Sequence, residues 1–322
     1  MKPRTFALFG AMTLFAALVI TVRTFAQKTK EQFTTFDAPG AGLYGTLPTS
    51  INPRGIITGY YYDARGIIHG FVRVKDGAIT TFDAGPKGTV ANGINPAGVI
   101  TGFFIDASGI AHGFLRAGDG AITTFDAGPG GTVAKGINPA SEITGYYYAS
   151  GVAHGFLRTR DGTITTFDAP GAGTVRGLGT VSSSINPAGS ITGYYFDAND
   201  RVHGLLRARE GTITMFDAGP GNTFSNGINP AGAITGYYYD ASGTIHGFLR
   251  ARDGTITTVD APGAGTGFKG TLCVSINPAG AITGFYKDAS GTFHGFLRKP
   301  DHRAGSENEL DDDDGEGSES SE

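Results

Sequence analysis

From Ile228 to Asp260 the chain reads "INPAGAITGYYYDASGTIHGFLRARDGTITTVD", short alternating runs cut by turns, with no helical apolar period. Asn229-Pro230-Ala231-Gly232 presets one turn through proline φ and glycine's tolerance of positive φ. Asp240-Ala241-Ser242-Gly243 and Arg252-Asp253-Gly254 mark two more, the Asp-Gly pair being a strong hairpin signal. The runs between them, "AITGYYY", "TIHGFLR" and "TITTVD", are rich in residues that suit a pleated surface. The pattern recurs with its Ile-Asn-Pro element at Asn52, Asn95, Asn138, Asn186, Asn229 and Asn277. Four short antiparallel strands per period of roughly 43 residues is the signature of a propeller blade.

The order of the pieces predicts how the fold ends. A lone fourth strand, Phe33–Asp37, precedes the first Ile-Asn-Pro, and a lone third strand ends at Arg298. The expectation is an all-β, six-bladed β-propeller of four-stranded antiparallel blades, its ring closed by the N-terminal strand pairing into the last blade. Closure removes open sheet edges, whereas the alternative, an open solenoid, needs distinct caps that the sequence lacks. Only the link from fourth strand to next first strand varies in length. It is extended at 43–45, 174–179 and 266–270, so every insertion falls on one face of the ring.

The ends differ in character. Lys2 and Arg4, an apolar run from Phe6 to Val22 and Thr24-Phe25-Ala26 describe a signal peptide over 1–26, with cleavage expected after Ala26. An uncleaved anchor is the alternative, and the only membrane role foreseen. A linker over 27–32 leads into the propeller at 33–300. Residues 301–322 hold ten acids and one Arg and read as a disordered acidic tail, the sharper option being a weak calcium or basic-partner site. The body over 27–300 keeps 21 basic and 19 acidic residues, a balance that gives no reason to expect nucleic acid. Cys273 has no partner for an internal disulfide. The protein is expected to be secreted or periplasmic, and monomeric.

The pattern Gly-Ile-Asn, Ile-Thr-Gly-Tyr-Tyr, Asp, then His-Gly-Phe-Leu resembles the repeat of the HAF-repeat family of extracellular repeat proteins. That family's His-Ala-Phe triplet reads His112-Gly113-Phe114 here and departs further at His203-Gly204-Leu205. The resemblance covers about 33–298. It implies export and a propeller-like repeat, and brings no catalytic residues with it.

Candidate chemistry is repeated rather than concentrated. His69, His112, His154, His203, His246 and His294 occur once per unit, as do Asp37, Asp83, Asp126, Asp168, Asp217 and Asp260 closing the fourth strands. A metal ion needs ligands converging within about 2–2.3 Å, so no metal and no cofactor is expected, and these residues are assigned to a repeated structural network. The Arg ending each third strand could form an anion girdle, or pair with turn acids such as Asp76 or Asp253. The Tyr runs at 60–62, 146–148 and 237–239 could stack on sugars or pack between blades.

Catalysis needs different residues at one place, and almost everything here is present six times. Tyr44, Arg54, Arg65, Lys87, Lys135, Glu142, Arg176, Phe268, Lys269, Cys273 and Lys287 break the symmetry, and they are mainly cations and aromatics. From the long links, Tyr44, Arg176, Phe268 and Lys269 are the expected ligand-binding residues. Tyr44, Phe268 and Lys269 should lie together, with Arg176 across the ring. The expected function is non-catalytic binding of an extracellular or envelope glycan or protein; the alternative is an exported hydrolase or lyase.

Overall fold

The computed structural model describes residues 36–298 except 292. The leader, the linker, most of the expected strand Phe33–Asp37 and the acidic tail lie outside the described residues. Phe36 and Asp37 belong to a separate compact unit from the rest, which begins at Ala38, and neither carries regular secondary structure.

The first repeat folds as a meander of β1 (Ala41–Ile51), β2 (Ile57–Asp63), β3 (Ile68–Arg73) and β4 (Ile79–Phe82). All its pairings are antiparallel, with Tyr61 opposite His69 and Gly70 opposite Phe82. The meander recurs over 88–125, 132–167, 179–216 and 223–259, and three strands of a sixth follow over 271–298. The described residues are therefore all-β, apart from a single 3-10 turn at Gly267–Lys269. None of their helices is long and apolar enough to cross a membrane.

Turn chemistry explains the regularity. Asn52 Oδ1 accepts the amides of Arg54 and Ile56 at 3.0 and 3.1 Å, while Asp63 Oδ1 accepts those of Arg65 and Ile67, both at 2.8 Å. These side chains satisfy backbone donors that the reversal of the chain leaves without a ladder partner. In the third unit the turn aspartate is replaced by Ala149, and Ser150 takes a positive φ of 53° instead. Within each of the first five units a fully buried Thr crosses strands: Thr58 Oγ1 donates to Phe71 O at 2.8 Å, and Thr101 repeats this on Phe114 O at 2.9 Å. The glycine of His-Gly-Phe makes room for the fourth strand's ring. A Cβ on Gly113 would stand 2.6 Å from Phe125 Cζ.

Two devices join successive units, the first at all five steps and the second at the first four. Asn52 Nδ2 donates to Asn95 O, Asn95 to Asn138 O, Asn138 to Asn186 O, Asn186 to Asn229 O and Asn229 to Asn277 O, at 3.1–3.4 Å. The five donor residues are buried. The second device is a clamp: Arg116, Arg158, Arg207 and Arg250 lie 4.8–4.9 Å above Phe82, Phe125, Phe167 and Phe216 of the preceding unit. The expected pairing of these arginines with turn acids is not formed by any of the four. Asp253 instead accepts the Thr255 amide of its own turn, and the guanidinium's flat face, weakly hydrated, settles on a ring.

The first strands of successive units pack on one another through all five steps, but no comparable packing joins the sixth to β1 among the described residues. Both edges show it. Ile51 is 63% exposed where Ile94, Ile185 and Ile228 are 7%. Asn277, unlike the five asparagines before it, is exposed.

Candidate functional site

The ends of the second and fourth strands share one face with the long links. There four of the five described imidazoles are held from both sides. His69 Nδ1 lies 2.8 Å from Asp83 and its Nε2 3.7 Å from Asp63; His112 lies 2.8 Å from Asp126 and 3.4 Å from Asp106. His203 and His246 repeat this with Asp217 and Asp197, and with Asp260 and Asp240. His154 keeps Asp168 at 2.9 Å and has no second carboxylate, because Ala149 stands in the turn. Each of the five rings is stacked on the second-strand aromatic beside it, at centroid distances of 5.0–5.4 Å. Asp37 is exposed, and the His294 side chain lies outside the described part.

Burial would lower the pKa of His112 and His246, but the hydrogen bonds and charges of their paired aspartates outweigh it and raise both. Asp106 is held well below the usual carboxylate range, chiefly by the Ile110 amide. Asp240 is pulled down to about 2, chiefly by the Ser242 hydroxyl. Among the described residues no three His, Cys, Asp or Glu side chains converge as metal ligands would.

On the other face of the second strands the aromatics join across units. Tyr148 meets Tyr146 edge-on at 5.6 Å, and Tyr194 meets Phe196 at 5.9 Å. Tyr194 meets Phe224 at 5.1 Å, Phe224 stacks on Tyr237 at 4.7 Å and touches Tyr239 at 6.2 Å, and Tyr239 meets Phe268 at 6.2 Å. Burial pushes up the hydroxyls of Tyr146, Tyr194 and Tyr237. The strip is half-buried in its middle and open at its ends, where Tyr148 is 37% and Phe268 78% exposed.

The long links supply those ends. Phe268 and Lys269 ride on the 3-10 turn, anchored by the Gly267 amide donating to Thr244 Oγ1 at 3.1 Å. Lys269 Nζ donates to Ala289 O at 2.7 Å. Arg176 runs beside Gly151, in the turn that follows Tyr148, so closely that a Cβ there would stand 2.7 Å from its Cγ. Phe268 and Arg176 thus mark opposite ends of one aromatic region. The Tyr44 side chain lies outside the described part.

Other symmetry-breaking residues do structural work. Glu142 is buried, accepts from Asn138 Nδ2 at 2.7 Å and pairs with Arg209 of the next unit at 3.2 Å. Arg65 pairs with Asp63 at 3.2 Å on the surface, where such pairs contribute little. Lys135 sits on a first strand, and burial lowers its pKa. Phe224, at the centre of the strip, was not among the residues singled out above, although it stands where the other first strands carry Leu47, Val90, Val133, Val181 and Leu272. That substitution in the repeat was the available signal.

No family model matches the chain, and none of the curated proteins matches it. Solved structures do. A streptogramin B lyase aligns with a TM-score of 0.55 at 14% identity, covering 84% of this chain and 85% of its own. A catalytically inactive virginiamycin B lyase from Staphylococcus aureus, with quinupristin, aligns at 0.53 and 15% identity over 82% and 87%. AofleA from Arthrobotrys oligospora aligns at 0.51 and 13% over 84% and 89%. At these identities the likeness is one of architecture, and the chain has the fold of the β-propeller proteins.

Proposed function

We propose that this chain is an exported, non-catalytic recognition propeller of the HAF-repeat kind, which holds an extracellular or envelope glycan on its aromatic strip. One observation carries the reading: ring contacts run from Tyr194 through Phe224 and Tyr239 to Phe268, the Tyr146–Tyr148 pair stands beside Tyr194, and the region opens at both ends beside Arg176 and Lys269. Aromatic faces stack on the apolar faces of sugar rings, while the cations fit carboxylate or sulfate groups. The His–Asp sets favour binding over turnover, since each imidazole nitrogen that faces an aspartate is already engaged and the arrangement repeats along the array.

The full fold belongs to the same proposal. Six units close into one ring, with 33–37 as the missing fourth strand of the last. In support, the Asn ladder points one way through five steps, and its two ends, an exposed Asn277 and a buried Asn52, are a donor and an acceptor for a sixth. The long first and sixth links would then be neighbours, bringing Tyr44 toward Phe268.

The test is a glycan array on the purified protein, with and without chelator. Binding should survive the chelator and fall at least about tenfold in a Tyr148→Ala, Phe268→Ala double variant that keeps its melting temperature. Unchanged affinity would place the site elsewhere. A lyase is the second reading, favoured by two structural neighbours being lyases. Turnover of a polysaccharide or ester panel, abolished by one substitution, would establish it instead.

A further inference from the structure

The geometry points to a separate small-ligand site between the fifth and sixth units, shaped to take a phenol-like aromatic ring in the place of a side chain the repeat has lost. Fourth strands end in Phe82, Phe125, Phe167 and Phe216, but the fifth ends in Val259. In the first four cases the ring covers the glycine of His-Gly-Phe or His-Gly-Leu and carries the next unit's Arg on its outer face. Behind Val259 the replacement is partial. Cys273, where the other first strands have Pro48, Ala91, Ala134, Ser182 and Ser225, brings its sulfur to within 2.5 Å of where a Cβ on Gly247 would stand. That thiol is fully buried, and burial pushes it up to about 11, so it acts as filling rather than as a nucleophile.

What remains is a cavity of about 300 Å³ lined by Val259, Asp260, Pro262, Phe296 and Arg298, among others. Arg298 is the counterpart of the arginines that lie on phenyl rings in the other units. A ring bound against Val259 and Phe296 would present its face to that guanidinium, the arrangement the repeat itself uses. Asp260 gives Oδ2 to His246, leaving its second oxygen to accept a hydroxyl or amine proton from the ring's edge. Its carboxylate also disfavours anionic ligands. The class is therefore a neutral aromatic carrying one donor, and phenol is the smallest probe.

Ligand-observed NMR and calorimetry on the full chain decide it, with phenol against cyclohexanol, a saturated ring of similar size. Phenol should bind about tenfold more tightly, the scale of a partly desolvated cation–π contact. Val259→Phe should abolish phenol binding and raise the melting temperature. Phe216→Val should add a second site beside Arg250. Should Val259→Phe fail to fold, Arg298→Leu must erase the preference for phenol over cyclohexanol. Equal binding of the two alcohols by the native chain, no binding of either, or phenol binding retained by a folded Val259→Phe protein would overturn the assignment. The glycan result is independent of all these, because Tyr148 and Phe268 do not line this cavity.

Discussion

Ring closure can be read from two alanine substitutions. Asn229→Ala removes two hydrogen bonds, Oδ1 with the Ala233 amide at 2.9 Å and Nδ2 with Asn277 O at 3.4 Å. Each contributes about 1 kcal/mol net, and a partner left orphaned in this part-buried junction adds up to about 2 kcal/mol. The expected cost is roughly 2–4 kcal/mol, or about 6–12 °C in melting temperature for 3 kcal/mol at this size. Asn277 in the open array makes one such bond, to the Ala281 amide at 2.9 Å, from an exposed position. Its loss there would cost about 1 kcal/mol or less. If the ring closes, Asn277 Nδ2 reaches Asn52 O and becomes buried, and Asn277→Ala should cost as much as Asn229→Ala. Urea unfolding of both variants beside the parent measures the difference. A cost near 2–4 kcal/mol for Asn229→Ala but under about 1 kcal/mol for Asn277→Ala would refute closure through this ladder.

Three further outcomes are expected. Phe125→Leu takes away the ring under Arg158 and the edge contact to Phe156, and should cost about 2 kcal/mol in chemical denaturation; a shift under about 0.5 kcal/mol would remove the clamp from the account. His112 and His246 have raised folded-state pKa values, so their stabilisation is complete below the unfolded value of about 6.5 and lost as pH rises through the folded values. Melting temperature should therefore decline above neutrality, and less steeply in a His112→Gln, His246→Gln double variant. The depressed Asp240, at about 2, works in the opposite direction: its contribution is present above the unfolded value of about 3.9 and lost as pH falls toward the folded one, so Asp240→Asn should blunt acid destabilisation.

Strands and turns were legible in the sequence because they are local. Asn-Pro-x-Gly and Asp-Gly fix reversals within four residues, and Asn52 and Asp63 bond to amides two and four residues on. Contacts between units were less legible. Arg158 lies on Phe125, 33 positions earlier, and nothing local distinguishes it from an arginine that pairs with the turn acid three residues away. The aromatic strip is harder still, since Tyr194, Phe224 and Tyr237 come from three strands and two units. Phe224 could be found only by comparing copies position by position on first strands. The same comparison at the fourth strand exposes Val259, and at the first strand Cys273, as two halves of one change in packing.

The Asn ladder has a direction. Every unit offers a side-chain donor forward and presents a backbone acceptor behind, so the interface is head-to-tail rather than self-complementary. Such a contact does not set its own number: copies add until the rotation per step brings the head of the chain to its tail. A chain cut to its inner units would keep an unmet donor at one end and an unmet acceptor at the other. Those fragments should polymerise into polar filaments rather than pair as symmetric dimers, and the proposed ring closure would then guard against self-assembly as well as add stability.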